Sequence, residues 1–477
     1  MNFYLNIFFI ILFINSSLSI ITVFLSNRDV SKIWAWLVVL IFIPGIGFVI
    51  YWFAGRGLSN KKIFSFINQN ITGKEQIKDN QKFLNKHYLN QRISKINNLF
   101  TNKSGSILTY GNRIQTFFDG SILFKNIFKE IKGARHHIHI SSFTINNDKM
   151  GNQLVDLLTK KAQEGVEIRV IYDAYGSHGT HNLMYHRLRK AGGIIYPFLT
   201  RRFQLLSYRI NFRFHRKITV IDGKIGYIGG FNFGDQYEGN SNRFSYWRDS
   251  HLKIRGDSVL SLQSQFFTDW NSTAKKKDKL SFSKKYFPSS KTKKINYPVQ
   301  IISSGPDSTS EIIKKGYLTM INSAVKSIVI QTPYLIPDQS IFESIIIALS
   351  SGIKINIFIP RMPDHPFVYR ATEYYAREFQ EKGAKIYRYD KGFLHSKLIL
   401  MDDEVTSIGS ANMDIRSFEL GFEANAFIFS RYFAKKIKKQ LKIDAQNSTL
   451  LNKQYFKKQS VWRKFKQNFC RLLSPLL

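Results

Sequence analysis

The sequence predicts an α/β protein with two similar halves packed against each other, preceded by a helical hairpin in the membrane. Three observations lead to this fold class. A pattern of His, Lys, Asp, Gly and Asn with fixed spacing occurs twice, strand-like and helix-like segments alternate in both halves, and two long uncharged runs stand near the N-terminus. A duplicated α/β unit attached to a membrane anchor accounts for all three.

Residues 1–56 are predicted to form two transmembrane helices. Residues 1–27 and the run from Ile33 to Gly55 carry no charge, and each is long enough to span a bilayer core. Aromatic residues stand at the ends of the second run, as is typical of membrane interfaces, and Pro44 indicates a kink. A cleaved signal peptide and a buried core helix are the respective alternatives. The basic residues after the second run narrowly favour a cytoplasmic catalytic region.

Residues 57–104, rich in Asn, Lys and Gln, are interpreted as a linker with short helices over the membrane surface. The first α/β half is assigned to residues 105–274. Within it we expect a strand at 136–143, a helix at 152–164 and a second strand at 166–176.

The second half, residues 295–477, repeats this order after a Lys- and Ser-rich connector at 275–294. Strands are expected at 327–337 and 353–360, with a helix at 342–351 between them. The connector is interpreted as a solvated tether, with contact to anionic lipid as the alternative.

The chain ends in a basic helix whose apolar residues recur at helical spacing from Val461 to Leu473. Two interpretations of this helix stay open. It either lies on the membrane as an amphipathic helix or packs against the second half.

The composition indicates an anionic partner. Lys and Arg number 70 against 33 Asp and Glu, a formal net charge of +37, part of which reflects a general richness in Lys, Asn and Ile. Such a charge attracts nucleic acid or phospholipid headgroups and does not choose between them. The 44% content of hydrophobic residues excludes a disordered chain, and the single cysteine, Cys470, excludes an internal disulfide framework and a cysteine-cluster metal site.

The duplicated pattern supplies the candidate catalytic residues. In each copy Lys follows His by two positions, Asp by seven, Gly by 14 and Asn by 17. The first copy comprises His215, Lys217, Asp222, Gly229 and Asn232. The second comprises His395, Lys397, Asp402, Gly409 and Asn412. One short motif in a Lys-rich chain is weak, but two copies that share five positions indicate a duplicated catalytic half.

These residue types suit chemistry at a phosphoryl group. Residues i and i+2 of a strand point to one face, so each His and Lys is expected side by side at a sheet edge. Imidazole titrates near neutral pH, so one histidine can act as a nucleophile while the other acts as a general acid. Lysine and asparagine supply charge and hydrogen-bond donors to the phosphoryl oxygens. The two histidines are therefore expected at one shared pocket.

With these motifs the sequence resembles the phospholipase D superfamily. The segments GFNFGDQY, WRDSH and TPYLIP resemble those of its bacterial cardiolipin synthases, and FIPGIGFVIYWFAGR is similar to their N-terminal membrane region. The likeness covers nearly the whole chain. It implies two pseudo-symmetric phospholipase D-like α/β/α halves packed against each other.

The resemblance also implies a reaction. One histidine attacks a phospholipid phosphodiester and expels an alcohol that the other protonates, and a second alcohol then attacks the phosphohistidine. By family analogy His215 is the nucleophile and His395 the acid, an order that the near symmetry of the two copies leaves open. Donor and acceptor would both be phosphatidylglycerol, giving cardiolipin and glycerol, with no metal or other cofactor.

Carboxylates are expected to orient the two histidines. In the superfamily a carboxylate roughly 25 to 35 residues beyond each histidine plays this part. Asp249 and Glu423 stand at matching places, with surface or helix-capping acids as the alternative. Asp222 and Asp402 belong to the motif but are expected to face away from the histidines and to hold the local fold.

Further polar residues are candidates for contact with the lipid headgroup. Arg416 is among them because arginine can grip a phosphate through two hydrogen bonds. The candidate phosphate and headgroup contacts are Asn232, Asn412, Arg416 and Ser417. Tyr334 is expected at the entrance and His251 close to the site.

The remaining histidines are not expected to bind a metal. His136, His137 and His139 lie on a predicted strand, which more often exposes or packs such side chains. The set of His178, His181 and His186 lies in a glycine-containing loop region without an accompanying set of carboxylates or cysteines.

Three other functions compete with lipid transfer to phosphatidylglycerol. The first is a phospholipase D or a phosphatidyltransferase that uses water or serine as the acceptor. The second is a superfamily nuclease, which the charge of +37 suits and the two apolar runs disfavour. The third is a non-catalytic membrane scaffold, which the two intact motifs disfavour.

Overall fold

The structure is a computed structural model that describes residues 2–24, 30–43, 46–47, 90–177, 183–198, 212–239, 243–288, 297–306 and 310–474. The chain divides into two compact units. The N-terminal unit comprises residues 1–63 and 200–212, and the main unit comprises residues 64–199 and 213–477. Both copies of the motif lie in the main unit.

Two apolar helices form most of the described part of the N-terminal unit. Helix α1 spans Asn2–Phe24 and helix α2 spans Val30–Phe42. They pack against each other, and Asn15 Nδ2 donates a hydrogen bond to the carbonyl oxygen of Leu40 over 3.4 Å. Within the described ranges, no helix combines the length and apolar character that crossing a bilayer requires. Pro44, at the predicted kink, lies outside the described residues.

A mixed sheet forms the centre of the first half. Its strands and those next to it are β1 (Thr109–Asp119), β2 (His137–Ser142), β3 (Glu167–Asp173), β4 (Ile194–Phe198), β5 (Arg213–Phe214), β6 (Ile218–Ile221), β7 (Ile225–Gly229) and β8 (Trp247–Arg255). The sheet order is β4-β3-β2-β6-β7-β8-β1. Strands β2, β3 and β4 are parallel to one another, and the other neighbours are antiparallel.

The second half repeats this sheet. Its strands are β9 (Tyr297–Ser304), β10 (Ser327–Gln331), β11 (Leu335–Ile336), β12 (Lys354–Pro360), β13 (Lys385–Tyr389), β14 (Phe393–Leu394), β15 (Leu398–Met401), β16 (Val405–Gly409), β17 (Met413–Asp414), β18 (Gly421–Phe429) and β19 (Ser448–Leu451). The order is β19-β13-β12-β10-β15-β16-β18-β9. Apart from the edge strand β19, it matches the first sheet strand for strand, which confirms the duplication.

Helices complete the two halves of the main unit. They are α3 (Gln91–Ser104), α4 (Gly120–Lys132), α5 (Lys149–Gln163), α6 (His186–Lys190), α7 (Ser258–Thr273), α8 (Ile312–Ser323), α9 (Gln339–Ser350), α10 (Pro366–Glu381), α11 (Ile415–Glu419), α12 (Arg431–Gln446), α13 (Lys453–Lys457) and α14 (Val461–Leu472). The strands and helices expected from the alternation of the sequence are confirmed in type and order.

The same local signals begin and end corresponding helices in the two halves. Asp148 caps α5 by accepting a hydrogen bond from the Gly151 amide, and Asp338 caps α9 in the same way through Ile341. Gly165 and Gly352, which follow the two helices, adopt φ values of 85° and 83°, a region that favours glycine. The chain can therefore turn at once into strands β3 and β12.

The core of the main unit has three layers of apolar contact. Helices α4 and α5 pack on the outer face of the first sheet, and α8 and α9 on that of the second. The inner faces of the two sheets share a third cluster, in which Ile218 and Val220 of β6 join Leu398 and Leu400 of β15. The halves are thus bound by a continuous buried core, and β1 and β9 pair antiparallel to join the two sheets.

Two segments that the sequence assigned to connections belong to the packed unit. Helix α3, within the predicted linker at 57–104, buries Phe100 against Phe427 of the second half, with ring centroids 4.5 Å apart. The predicted tether at 275–294 packs on the first half, where Tyr286 donates a hydrogen bond to Glu167 over 2.8 Å. The tether interpretation is wrong for its described part, because apolar residues among the lysines are buried there.

Candidate active site

Each motif histidine is fixed by the backbone of the opposite half. Strand β5, just before His215, pairs in parallel with β18, and the His215 amide donates to the carbonyl oxygen of Phe422 over 3.0 Å. Strand β14, just before His395, pairs with β8, and the His395 amide donates to the carbonyl oxygen of Arg248 over 2.7 Å. These short strands exchange partners between the halves.

The exchange places each histidine against a carboxylate of the other half. His215 Nδ1 lies 3.0 Å from both Oε1 and Oε2 of Glu423, and His395 Nδ1 lies 2.6 Å from Asp249 Oδ2. The sequence identified both carboxylates but counted them forward from the histidine of their own half. That pairing is wrong, because β5 and β14 cross to the neighbouring sheet before each histidine is reached.

The two histidine–carboxylate pairs are deeply set. The side chains of His215 and His395 are 15% and 9% exposed, and those of Glu423 and Asp249 are 2% and 0% exposed. Aromatic rings wall both histidines: Phe143 stands edge-on 5.2 Å from His215, and Trp247 lies 4.9 Å from His395. The packing fixes both imidazole rings.

Burial keeps both imidazoles neutral in the resting site. It lowers the pKa of His215 below its usual range, against the opposing influence of Glu423. It also lowers the pKa of His395 to about 4, helped by the charge of Lys397 and opposed by Asp249. With the Nδ1 proton shared with a carboxylate, Nε2 carries the lone pair of each neutral ring.

The motif lysines lie beside the histidines at the same centre. Lys217 Nζ donates to the carbonyl oxygen of His215 over 2.8 Å, and Lys397 donates to that of His395. Burial lowers the pKa of Lys217 to about 7 and that of Lys397 to about 8. Each lysine also acts electrostatically on the histidine of the opposite half, so the four groups share one electrostatic environment.

The histidines and lysines do not stand on strands as the alternation argument expected. His215 and Lys217 lie in the short segment between β5 and β6, and His395 and Lys397 lie between β14 and β15. The backbone there leaves one sheet and enters the other, so it has no continuous ladder. The lysine side chain turns back onto the histidine carbonyl instead of standing parallel to the ring.

The motif aspartates lie at the far ends of the strands from the histidines, so they do not belong to the candidate catalytic centre. Asp222 has φ 55° in the turn after β6, and its carboxylate accepts the amide hydrogens of Arg135, His136 and His137. Asp402 has φ 51° after β15 and accepts those of Val325, Lys326 and Ser327. Both tie the strand ends of their own half together.

The motif glycines allow close strand approach. A Cβ atom on Gly229 would lie 2.5 Å from the Cα atom of His251, and one on Gly409 would lie 2.2 Å from Asn425 Oδ1. Gly230, the next residue, also has no room for a side chain, since a Cβ atom there would lie 2.0 Å from Asp249 Oδ1. A larger residue at Gly230 would displace the carboxylate that holds His395.

Ser410 is a site residue that the sequence analysis missed. Its hydroxyl donates to Glu423 and also accepts the Ala424 amide hydrogen over 3.0 Å. Ser410 stands where the first half has Gly230, one position after the motif glycine. The sequence does show this difference, since Gly-Ser in the second half replaces Gly-Gly in the first. The serine hydroxyl gives Glu423 a second hydrogen bond.

The candidate phosphate contacts have different surroundings. Asn232 is already engaged, since its Oδ1 accepts the Thr144 amide and its Nδ2 donates to the Tyr237 hydroxyl. Asn412 is buried, and its Oδ1 has no hydrogen-bond partner among the described residues. Ser417 is buried and accepts the Asn412 amide over 3.2 Å, which orders the loop.

Arg416 stays a predicted contact for a phosphate oxygen. It is only partly buried, and its positive charge contributes to lowering the pKa of Arg213, two residues before His215. Burial is the larger cause of that shift. Two cations whose charges interact favour an anionic ligand.

Tyr334 and His251 border the same centre. Tyr334 donates a hydrogen bond to Asp364, whose charge influences Lys397. His251 is buried, which lowers its pKa to about 3, and the charges of Asp249 and Lys217 act on it. The interaction with Lys217 agrees with the expectation for His251, and the place of Tyr334 at an entrance stays a prediction.

The remaining histidines form no metal site in the described part of the chain. His137 and His139 are buried on β2, where His137 Nε2 lies 3.1 Å from Gln263 Oε1 and Gln263 Nε2 lies 2.8 Å from His139 Nδ1. Over the described ranges, no group of three His, Cys, Asp or Glu side chains is arranged to hold a metal ion. His178 and His181 lie outside the described residues, and His186 begins α6.

Known proteins are similar to this sequence over nearly its full length. The family described as "Cardiolipin synthase, PLD-like domain" matches residues 127–268 and 317–445, and "Phospholipase_D-nuclease N-terminal" matches residues 5–56. A cardiolipin synthase of Listeria monocytogenes serotype 4a (strain HCC23) is 43% identical over 475 residues, covering 98% of each chain. One of Staphylococcus aureus (strain Mu50 / ATCC 700699) is 43% identical over 484 residues, covering 100% of this chain and 98% of that one.

A solved structure shares the fold. The phosphatidylserine synthase of Haemophilus influenzae Rd KW20 superposes with a TM-score of 0.62 at 15% sequence identity, covering 80% of this chain and 100% of the other. At this identity the likeness concerns the fold alone. The duplicated motif, the paired sheets and the full-length sequence similarity agree with one another, and the chain belongs to the cardiolipin synthase family of the phospholipase D superfamily.

Proposed function

We propose that the protein transfers a phosphatidyl group from one phosphatidylglycerol to another, giving cardiolipin and glycerol. The observation that carries this proposal is the pair of crosswise histidine–carboxylate contacts, His215 with Glu423 and His395 with Asp249. Two such pairs with two lysines beside them provide a nucleophile, an acid and positive charge for one phosphodiester.

The first step forms a phosphohistidine. Nε2 of neutral His215 attacks the phosphorus of the donor lipid, and the bond from phosphorus to the glycerol headgroup oxygen breaks. His395, protonated when the lipid anion adds negative charge beside it, gives its proton to that oxygen, and glycerol leaves. Glu423 steadies the positive charge that develops on His215.

The second step transfers the group to the acceptor. His395, now neutral, takes the proton of a primary hydroxyl of the second phosphatidylglycerol. The hydroxyl oxygen bonds to phosphorus while the bond from phosphorus to Nε2 of His215 breaks. Cardiolipin leaves with one phosphate from each substrate, His395 is protonated again, and no further reactant is consumed.

Charge near the histidines serves the two phosphates of this reaction. Lys217 and Lys397, which donate to the histidine carbonyl oxygens, also bind the oxygens of the reacting phosphate. Arg416 and Arg213 suit the phosphate of the acceptor, which must be held but not cleaved. Asn412 and Ser417 order the loop that presents Arg416, and Asn232 orders the corresponding loop of the first half.

The N-terminal region anchors the enzyme in the cell membrane in this proposal. Two uncharged runs within residues 1–56 support a transmembrane hairpin, and the basic residues after the second run favour a main unit in the cytoplasm. Cysteines introduced on the main unit should resist membrane-impermeant maleimides in intact cells and react after lysis. Labelling in intact cells would place the main unit outside.

A lipid-product assay tests the reaction. Full-length protein in phosphatidylglycerol vesicles is expected to release glycerol and to form cardiolipin in equal amounts. Phosphatidic acid as the only lipid product would instead indicate a hydrolase, and a new lipid formed only when serine is added would indicate a different acceptor. A His215→Asn variant should form none of these products.

A further inference from the structure

The last long helix of the main unit exposes its apolar side. In α14, the side that packs on the protein buries Gln467 and Cys470, whereas a row of apolar residues faces solvent. This row, the apolar stripe, comprises Val461 (85% exposed), Trp462 (62%), Phe465 (55%), Phe469 (50%) and Leu472 (73%). At 100° per residue these five side chains occupy a sector roughly 100° wide, as on an amphipathic helix.

Polar contacts hold α14 in this orientation. The Arg463 guanidinium donates to Glu373 of α10, and Arg377 of α10 donates to Gln467 over 3.0 Å. Ser460 caps the helix through the Arg463 amide at 3.2 Å. A helix that only completed the core would bury its apolar face. Because α14 packs through polar contacts instead, its apolar stripe stays exposed and can contact another partner.

The surroundings of the apolar stripe are strongly basic. Residues 452–474 contain seven Lys and Arg and no Asp or Glu. The ammonium group of Lys466 lies 5.1 Å from the ring centre of Trp462, whose ring stacks on that of Phe465 at 5.3 Å. Apolar rings flanked by cations suit the surface of an anionic bilayer. The rings can insert between the headgroups and the acyl chains, and the cations can bind the lipid phosphates.

The helix packs on β11, which pairs in parallel with β17, the strand that follows Asn412. Cys470 packs in one cluster with Ala371 of α10 and Ile336 of β11. Two residues before Ile336 stands Tyr334, which donates to Asp364, and the charge of Asp364 acts on Lys397. A bilayer bound by α14 would therefore contact the half that carries His395, Lys397 and Asn412.

We propose that the apolar stripe of α14 docks the main unit on an anionic lipid surface, with the helix lying in the interface. The idea rests on the proposed lipid substrate and adds a second membrane contact that is separate from the N-terminal region. A second copy of the chain is a poorer occupant, because two copies of the segment 452–474, each with seven cations and no carboxylate of its own, would repel each other.

The test uses the full-length protein with an environment-sensitive fluorophore. Cys470 is the only cysteine, so Phe465→Cys in a Cys470→Ser background allows one label on the apolar stripe. Val325→Cys in the same background is the matched control, since Val325 is 57% exposed and lies at the end of the strands near Asp402, away from the histidines.

In phosphatidylglycerol vesicles the label at 465 should shift to shorter wavelength and be quenched by brominated lipid, and the label at 325 should not. A label at 465 that stays as water-exposed as that at 325 would overturn the proposal. Disulfide formation between copies of the unlabelled Phe465→Cys variant, at a yield that the Val325→Cys variant does not reach, would also overturn it, in favour of a dimer.

A kinetic readout separates docking from chemistry. The double variant Trp462→Ser, Phe465→Ser should raise KM for vesicle-borne phosphatidylglycerol roughly tenfold with kcat retained, and should leave turnover in detergent micelles unchanged. The label readout needs no turnover. A buried label without lipid turnover would thus count against the proposed reaction, while turnover with a solvent-exposed label would count against the docking surface.

Discussion

His215 of the first half hydrogen-bonds Glu423 of the second, 208 positions along the chain, while Asp249 of its own half holds His395 instead. The reciprocal arrangement makes each reactive centre a product of both halves. Neither half by itself contains a histidine with its orienting carboxylate. One histidine and one carboxylate from each half thus couple the two cores to the chemistry.

Replacing one carboxylate should therefore change the histidine of the other half. In Glu423→Gln the negative charge that raises the pKa of His215 is lost, so that pKa should fall further while that of His395 changes little. In Asp249→Asn the pKa of His395 should fall and that of His215 should change little. NMR titration of the two assigned imidazoles measures both shifts. A fall in the pKa of His215 in Asp249→Asn, with the pKa of His395 unchanged, would instead indicate that each histidine pairs with the carboxylate of its own half.

The same variants should slow the reaction. Glu423→Gln is expected to lower kcat by roughly 10²- to 10⁴-fold, because the ring loses the group that orients it and stabilises its cation. A matched change at the exposed acid Glu381, Glu381→Gln, should leave kcat within about twofold of the parent. Initial rates of glycerol release provide the comparison.

The lysine pKa values predict how the rate depends on pH. Lys217 and Lys397 have pKa values of about 7 and about 8, so in the free enzyme they lose their charge as the pH rises through this range. Because the charged forms bind phosphate, kcat/KM should fall from about pH 7 upward. Lys217→Arg keeps its charge and should move this decline to higher pH. An unchanged kcat/KM up to pH 10 in the parent would contradict a binding role for the lysines.

Asp222 is expected to matter for stability more than for catalysis. Asp222→Ala leaves three backbone amides without their acceptor and puts alanine at φ 55°, so it should cost about 2 to 4 kcal/mol of folding free energy. Asp222→Asn tolerates that backbone region and keeps one acceptor oxygen, so it should lose less. The kcat per folded molecule should stay close to the parent in both variants. A loss of kcat in Asp222→Asn at full stability would place Asp222 in the reaction.

The sequence predicted the duplication because its signals are local. The spacing from His215 to Asn232 recurs from His395 to Asn412, and the strands and helices of each half follow from short-range periodicity. The exchange of partners is not local, since β5 and β14 have two residues each and give no periodic signal. Counting forward along the chain therefore found the right carboxylates with the wrong histidines.

The C-terminal helix illustrates the same limit. Its periodicity from Val461 to Leu472 predicted an apolar face, which the structure has. Periodicity does not show which face of a helix packs against the protein, and the apolar face is the one usually expected to do so. Here ionic contacts such as that of Arg463 with Glu373 fix the polar face, and they join residues 90 positions apart.

The proposed reaction requires a covalent intermediate at one of two histidines that share a single phosphorus atom. Full-length protein incubated with phosphatidylglycerol labelled in its phosphate, denatured rapidly and digested, should yield an acid-labile phosphatidyl adduct on the peptide containing His215. The adduct should persist in His395→Ala under slow turnover and be absent from His215→Asn. Undiminished cardiolipin formation in His215→Asn, with no adduct on either histidine peptide, would contradict it.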